Sequence, residues 1–368
     1  MRLFTYYMFK LGRCFSTSYK LLYFGSDLYS KHTLESLIKT PIIASIQKLD
    51  VLSPPNGNHD DPHREFNDYV TKQKLHRIPF FKKFGNELIP NIQGYDIGII
   101  ASFGKFIPSK VIDLFPKGMI VMHPSLLPAY RGACPLQYAL LNNDTLTGIT
   151  AQEISRVKFD AGNILAQEKY SIKPSDTYLS LCEELGKMSG TMLSQILSNF
   201  DDYKSKAVAQ DENKVTYAPI IPKKECIFLW DKLTTAMAVK KFNALKGSSN
   251  ESFSKILINN KWQYIKFLDL VKESTESIAY LSFLGPAEAH AFPGCIHWDL
   301  KKDKDMFIKC TDGWVRINEM KIESKGKISA KGLISTHFSN KNFKKEGRFL
   351  YRMACHDDVI KKVDKFEI

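Results

Sequence analysis

The chain has 368 residues, of which 44% are apolar and 25% are charged, and its formal net charge at pH 7 is +13. This length is sufficient for two domains with ordinary cores, and the composition is typical of a globular protein. No uninterrupted apolar run approaches the roughly 18 residues of a membrane span, so we expect no membrane partner.

The basic residues are unevenly distributed along the chain. Residues 1–20 contain four basic and no acidic residues, residues 21–222 contain 21 of each, and residues 223–368 contain 27 basic against 18 acidic. A neutral half joined to a basic half indicates that the C-terminal half meets a polyanion, although a solvated lysine-rich surface gives the same composition.

The first twenty residues have the composition of a mitochondrial transit peptide. They are basic, rich in hydroxyl and aromatic side chains, and free of acids until Asp27. Cleavage is expected after Phe15. The seven cysteines form no Cys-x-x-Cys pair and are odd in number, which favours a reducing compartment with structural thiols. The polar segment 59–63 contains two histidines and two aspartates but predicts a plain loop, and we expect no metal site.

The chain opens with an α/β pattern. An apolar run at 21–24 is closed by Gly25, and a helical pattern follows at 30–38, as in a parallel α/β unit. Apolar runs predict further strands at 41–51, 95–103, 119–122, 147–154 and 164–172, and helices are expected at 135–142, 176–203 and 231–245. Short strands with intervening turns at 262–271, 294–300, 306–310 and 314–320 predict a small barrel in the second domain.

A histidine and an aspartate lie at strand-to-loop junctions of the same unit. The strand at 119–122 ends at His123, and Asp160 follows the strand at 147–154. Ligands in open parallel sheets bind outside the carboxyl ends of the strands, where Gly25 and the segment 102–104 also lie. An imidazole suits proton transfer at neutral pH, and a carboxylate can orient it. Spacing alone leaves open a structural histidine and a plain Asp-Xaa-Gly turn.

Three stretches make the pattern more specific: residues 123–135 read HPSLLPAYRGACP, residues 144–150 read DTLTGIT, and residues 159–162 read FDAG. In this order they resemble the folate-dependent formyltransferases, and among these most closely the methionyl-tRNA formyltransferases of the mitochondrial type. The resemblance covers most of the chain from about Leu21 onward.

The resemblance implies a Rossmann-like formyltransferase domain with a parallel sheet at residues 21–203. It further implies a linker at 204–222 and an OB-like β-barrel domain at 223–368 that binds tRNA, after a transit peptide at 1–20. It also implies transfer of a formyl group from 10-formyltetrahydrofolate to the α-amine of initiator methionyl-tRNA. The protein would act as a monomer in the mitochondrial matrix, where it would serve translation initiation.

The resemblance also assigns roles to particular residues. His123 would stabilise the oxyanion and move protons, and Asp160 would hold His123 and a water in place. Ser125 and the turn at Arg131 and Gly132 would shape the pocket. The pocket for the folate donor would be formed by Ser102, Phe103, Gly104, Ile107, Ser125 and Pro128. Contacts to tRNA are expected from Arg131, Lys321, Lys325, Lys327 and Lys331.

Two departures from the family keep a second hypothesis open. Val121 stands where the family has an asparagine, in the pattern Asn-Xaa-His, whose amide polarises the formyl oxygen. The loop 53–65 is also less basic than its bacterial counterpart, which contacts the tRNA acceptor end. The chain is therefore either an active formyltransferase or a degenerate homologue that binds RNA or folate without turnover. Formyltransferases that act on sugars or purine precursors give no reason for the basic C-terminal half.

Overall fold

The computed structural model describes residues 18–56, 63–81, 83–248, 251–258, 261–272, 292–298, 306–322, 326–337 and 351–352. The chain divides into two compact units between Ile220 and Ile221. Most of the expected transit peptide and Lys325 lie outside the described residues, as does most of the segment 59–63. In the described ranges, no helix is both long and apolar enough to cross a membrane.

The first unit is built on a seven-stranded sheet. Its strands are β1 (Tyr19–Gly25), β2 (Ile46–Ser53), β3 (Arg77–Pro79), β4 (Ile97–Ala101), β5 (Met119–His123), β6 (Leu146–Glu153) and β7 (Ile164–Ser171). The spatial order is β3-β2-β1-β4-β5-β6-β7, and neighbours from β3 to β5 are parallel. β6 and β7 run antiparallel to their neighbours, a direction that periodicity alone cannot predict. The expected α/β fold class is confirmed.

The helices of this unit are α1 (Leu28–Ile38), α2 (Arg64–Lys72), α3 (Ile89–Ile92), α4 (Ser109–Ile112), α5 (Pro135–Leu141), α6 (Tyr178–Ser198) and α7 (Phe200–Ser205). Asp27 caps α1 by accepting the Ser30 amide N–H at 3.0 Å. α1 and α6 approach closely because α6 carries glycine at the contact: a Cβ on Gly190 would lie 2.4 Å from the Ser36 Cβ.

β1 lies at the centre of the sheet and is buried on both faces. Leu21 and Tyr23 belong to one hydrophobic cluster, and Leu22 and Phe24 belong to another. Successive side chains of a strand point to opposite faces, so this short run joins both layers of the core. β1 begins at Tyr19, inside the segment 1–20 that the sequence analysis assigns to the transit peptide.

Two expected elements differ from the structure. Segment 41–51 was expected to be one strand, but Pro41–Ser45 forms a 3₁₀ turn before β2 begins. Proline is suited to the first position of a helical turn because its missing N–H would have no partner there. Segment 204–222, expected as a linker, is bound to the first unit: Val208 exchanges backbone hydrogen bonds with Ile164, and Ala218 N–H donates to the Arg131 carbonyl at 2.8 Å.

The second unit contains two antiparallel sheets. Its strands are β8 (Ser254–Ile258), β9 (Lys261–Phe267), β10 (Val271–Lys272), β11 (Cys295–Trp298), β12 (Met306–Lys309), β13 (Trp314–Ile317), β14 (Glu319–Ile322), β15 (Gly326–Ser329) and β16 (Tyr351–Arg352). One sheet has the order β10-β13-β12-β11-β16 and the other β15-β14-β9-β8. The helices are α8 (Lys223–Cys226), α9 (Thr235–Leu245) and α10 (Ala330–His337). A C-terminal β domain is thus present, with Trp230 fully buried in its core.

Candidate active site

A cavity of about 390 Å³ opens at the carboxyl ends of β4 and β5. It is lined by Ile100, Ser102, Phe103, Gly104, Lys105, Phe106, Ile107, Val121, Met122, His123, Pro124, Gly132, Ala133, Pro135, Gln152, Ile154, Ser155, Lys158, Phe159, Asp160 and Ile220. The lining therefore includes both expected catalytic residues and four of the six residues expected to hold the donor.

His123 is the last residue of β5 and is buried at the wall of this cavity. Its Nε2 lies 2.8 Å from the Tyr130 carbonyl oxygen, and its Nδ1 lies 3.5 Å from Asp160 Oδ1. Both ring nitrogens thus face oxygen acceptors, and both can donate only in the imidazolium form. The Asp160 contact is longer than a good hydrogen bond, and catalytic contacts often tighten only when substrate is bound.

Asp160 is held by donors from two other segments. Its Oδ2 accepts the Gly132 N–H at 2.9 Å, and its Oδ1 accepts from Gln152 Nε2 at 3.2 Å. The residue has φ of +53°, in the left-handed region that non-glycine residues seldom adopt. Ser102 and Tyr130, which also adjoin the site, share this conformation with φ of 49° and 61°. Strained backbone of this kind clusters at functional sites.

A buried polar network supports the Asp160 loop from behind. Gln210 Nε2 donates to the carbonyl oxygens of Asp160 and Gly162, at 2.9 and 2.8 Å. The Arg131 guanidinium in turn donates to Gln210 Oε1 and to Glu212, and this interaction lowers the pKa of the Glu212 carboxyl. The network ties segment 204–222 to the Asp160 loop, and sequence reasoning assigned no residue of segment 204–222 to the site.

Ser102 connects the segment after β4 to the start of α1. Its hydroxyl donates to Asp27 Oδ2 at 2.5 Å, and its carbonyl accepts the Ser26 hydroxyl. Burial raises the pKa of the Asp27 carboxyl, although the hydrogen bonds from Ser102 and Ser30 oppose the shift. The segment after β4 is therefore fixed at its first residue, and Gly104 follows with φ of +69°.

Three residues expected to bind substrates lie elsewhere. Ser125 is buried and donates to the Ala129 carbonyl, so it shapes the turn after His123 and does not line the cavity. Pro128 also lies outside the lining, and its carbonyl accepts the Thr216 N–H. Arg131 is 3% exposed, and its guanidinium donates four hydrogen bonds to Gln210 and Glu212, so it lies away from solvent and does not line the cavity.

The expected tRNA-binding lysines belong to the second unit. Lys321 on β14 lies directly opposite Lys327 on β15 and Lys266 on β9, so the three form a row across the sheet. Lys327 pairs with Glu319 at 2.8 Å, and Lys331 is exposed on α10. Tyr264 lies two residues before Lys266 on β9, on the same face of the sheet, and is half-buried.

The cavity also contains residues that sequence reasoning missed. Phe106 and Phe159 meet edge to face at its rim, with ring centroids 5.4 Å apart, and both are exposed. Gln152 is 1% exposed within β6 and contacts Asp160. The signal for Gln152 was present, because an amide inside the apolar strand pattern of 147–154 requires buried partners.

Comparison with known proteins gives concordant results. A sequence profile described as formyl transferase matches residues 68–197. The mitochondrial methionyl-tRNA formyltransferase of Homo sapiens is 27% identical over 330 residues, covering 88% of this chain and 77% of that protein. The methionyl-tRNA formyltransferase of Ureaplasma parvum is 34% identical over 221 residues, covering 58% of this chain and 70% of that protein. That of Fusobacterium nucleatum is 28% identical, covering 87% and 97%.

Solved structures share the fold. HypX from Aquifex aeolicus in complex with tetrahydrofolic acid superposes with a TM-score of 0.60 at 17% identity, covering 86% of this chain. The chain spans about half the length of that protein, 47%. WlaRD, a sugar 3N-formyl transferase, gives a TM-score of 0.51 at 18% identity, covering 82% of this chain and 97% of WlaRD.

Proposed function

The chain belongs to the methionyl-tRNA formyltransferase family of one-carbon transferases, and from this premise we propose its donor, acceptor and compartment. The donor is 10-formyltetrahydrofolate, the acceptor is the α-amine of methionyl initiator tRNA, and the reaction takes place in the mitochondrial matrix at the cavity beside His123 and Asp160.

The reaction is an acyl transfer between two nitrogens. The amine nitrogen attacks the formyl carbon, and the carbonyl oxygen becomes an oxyanion. The bond from carbon to N10 of the folate then breaks, so the amine loses one proton and N10 gains one. The site must therefore supply a donor for the oxyanion, a group that relays protons and a wall that excludes water.

The pair of His123 and Asp160 meets the proton-transfer requirement. The imidazole lies at the cavity wall. Its Nε2 contacts the Tyr130 carbonyl oxygen, so Nδ1, which is 3.5 Å from Asp160 Oδ1, is the nitrogen that exchanges protons with the substrate in this proposal. Asp160 is restrained by the Gly132 N–H and by Gln152, so its carboxylate has a defined orientation. In this proposal Asp160 orients His123 and stabilises its charged form, while His123 carries the proton from amine to leaving group.

The donor pocket is formed by the loop after β4. Ser102, Phe103, Gly104 and Ile107 line one side of the cavity, and the exposed pair of Phe106 and Phe159 stands at its rim. An apolar cavity of about 390 Å³ with a few convergent polar groups suits a ligand with a flat heterocycle. The tetrahydrofolic acid named in the HypX complex gives this class of molecule a precedent on the fold.

The lysine row supports a role for the second unit in holding tRNA. Lys266, Lys321 and Lys327 lie in register on three neighbouring strands. Like charges directly opposite each other destabilise a sheet, and within this row Lys266 pairs with Glu251 and Lys327 pairs with Glu319. A phosphate backbone in contact with this row of three lysines would gain salt-sensitive, sequence-independent affinity.

Residues 1–20 and the mitochondrial relatives support the proposed compartment. The segment carries four basic residues and no acid, and the relatives from four mammals are named as mitochondrial enzymes. Import of the full chain into isolated mitochondria, followed by N-terminal sequencing, tests this part. Shortening within residues 1–20 is expected, and failure to import would contradict it.

The observation that carries the proposal is the contact of His123 with Asp160 at the wall of the cavity. The test is formylation of initiator methionyl-tRNA by the full chain, with radiolabelled 10-formyltetrahydrofolate as donor. His123→Ala should lose at least about 10²-fold in rate. The control is Asp113→Asn, which alters an exposed ion pair with Arg156 outside the cavity. Binding of folate and tRNA without transfer would instead favour the degenerate homologue.

A further inference from the structure

The side chain of Gln152, an amide, lies at the cavity wall, and Val121 occupies the neighbouring position on the adjacent strand. Gln152 on β6 lies directly opposite Val121 on β5 in the antiparallel register, so both side chains project to the same face of the sheet. Both line the cavity, together with His123 on β5. Gln152 is 1% exposed, so its amide is removed from bulk water.

The orientation of this amide is fixed by its oxygen. Gln152 Oε1 accepts the Gly162 N–H at 3.0 Å and Gln210 Nε2 at 3.1 Å. Gln210 Nε2 has two protons and also donates to the carbonyl oxygens of Asp160 and Gly162, so the Gly162 N–H is the donor that fixes the amide. Turning the Gln152 amide over would leave this N–H unsatisfied, at a cost of about 1–3 kcal/mol. Its NH₂ group is therefore held on the side of the reacting groups.

One amide proton remains for a ligand. Gln152 Nε2 carries two protons, and its single acceptor among the described residues is Asp160 Oδ1, at 3.2 Å. The second N–H belongs to a residue that lines the cavity, and its nitrogen already contacts Asp160 of the pair that handles protons in the proposed reaction. A pre-oriented N–H at the wall of a largely apolar cavity is the feature that stabilises a developing oxyanion.

We propose that Gln152 is a catalytic residue that donates a hydrogen bond to the formyl oxygen as it becomes an oxyanion. The inference rests on the proposed function and adds the donor which that reaction needs. As the amine nitrogen bonds to the formyl carbon, the π electrons of the carbonyl move to the oxygen, and the Gln152 N–H stabilises them there. They return to carbon as the bond to N10 breaks. The amine proton leaves through His123 and N10 receives one, so Gln152 itself neither gains nor loses a proton.

A positioning role through Asp160 is the competing interpretation, and Val121 offers the means to separate the two. An amide introduced at position 121 would enter the cavity from the adjacent strand, opposite Gln152. It could replace a missing N–H donor to the substrate. It could not restore the bonds that Gln152 makes to Gly162 and Gln210, because those partners lie on the Asp160 loop and on segment 204–222.

The experiment compares single-turnover formyl transfer by the full-length wild type, Gln152→Met, and Gln152→Met with Val121→Asn. Gln167→Met is the control: this exposed glutamine on β7 donates to the Leu127 carbonyl and to the Thr150 hydroxyl, and it does not line the cavity. Melting temperatures verify folding. Gln152→Met should lower the rate of transfer about 10²- to 10³-fold with little change in KM. The added asparagine should recover at least about tenfold, and the control should keep the wild-type rate.

Three outcomes would overturn the inference. A Gln152→Met rate within about threefold of wild type would show that the amide is not needed. Loss of rate in a folded variant that Val121→Asn does not restore would assign Gln152 to the positioning of Asp160. If Gln152→Met does not fold, Val121→Asn in the wild-type background replaces it as the test. The rate of this variant should stay within about twofold of wild type, because the donor is already present. A gain of tenfold or more would refute the inference. Absence of transfer by the wild type would instead reject the proposed function itself.

Discussion

Replacement of Arg131 by methionine separates a structural role from a nucleic-acid contact. The guanidinium is 3% exposed, and its Nε and Nη2 donate to Gln210 Oε1 at 3.0 and 2.8 Å. Buried hydrogen bonds to a charged group contribute about 1.5–3 kcal/mol each, so Arg131→Met should lower the free energy of unfolding by at least about 3 kcal/mol. The bonds to Glu212 add little, because that carboxylate is exposed to solvent.

The assay is thermal unfolding, read together with formylation kinetics. For a unit of about 200 residues, ~3 kcal/mol corresponds to a fall in melting temperature of about 6–12 °C. The rate of transfer should fall as well, because Gln210 also holds the Asp160 loop. Arg156→Met is the matched control. Its pair with Asp113 is exposed, so the melting temperature should change by no more than about 2 °C.

The refuting result is specific. If Arg131 contacts tRNA phosphate, Arg131→Met would leave the melting temperature unchanged, raise KM for methionyl-tRNA and weaken the salt dependence of KM. That outcome would require the guanidinium to leave the partners it has in the structure.

Further predictions concern Gly162 in the Asp160 loop, Lys321 in the lysine row and the buried amine of Lys241. Gly162→Ala should abolish transfer in a folded protein, since a Cβ there would lie 1.8 Å from the Glu153 carbonyl oxygen, and activity within tenfold of wild type would contradict this. Lys321→Glu should raise KM for tRNA and reduce its salt slope by about 1, whereas Lys39→Glu, at the residue that follows α1, should change neither. Burial lowers the pKa of Lys241 to about 8. Between pH 8 and about 10.4 the unfolded state therefore binds more protons than the folded state, and the free energy of unfolding rises with pH. Urea titrations should show this rise for the wild type relative to Lys241→Met.

The sequence predicted the parts of the fold that depend on local periodicity. β1, β4 and β5 were anticipated because each is an apolar run closed by a turn residue. Strand direction was not, since β6 reads like a parallel strand and its antiparallel pairing with β5 follows from long-range packing. The start of β2 was missed because Pro41–Ser45 is apolar yet forms a 3₁₀ turn.

The site residues, like the fold, could be predicted from the sequence only in part. His123 and Asp160 could be found because they close strands within an ordered motif, and the structure brings them together. Gln210 could not, because it lies 50 residues beyond Asp160 and reaches it only after α6 and α7 return the chain to the sheet. The resemblance assigned Arg131 to tRNA contact, but the bond from its buried guanidinium to Gln210 depends on long-range packing that the sequence pattern does not show.

Single-turnover transfer by Asp160→Asn tests the central claim most directly. Asparagine keeps an oxygen for the Gly132 N–H but removes the charge that faces His123, so the fold should persist while the chemistry is lost. The proposed mechanism predicts a fall in the transfer rate of about 10²- to 10⁴-fold, with an unchanged melting temperature and with Asp113→Asn at the wild-type rate. Transfer by Asp160→Asn within about threefold of the wild-type rate would contradict it and place the reaction outside this cavity.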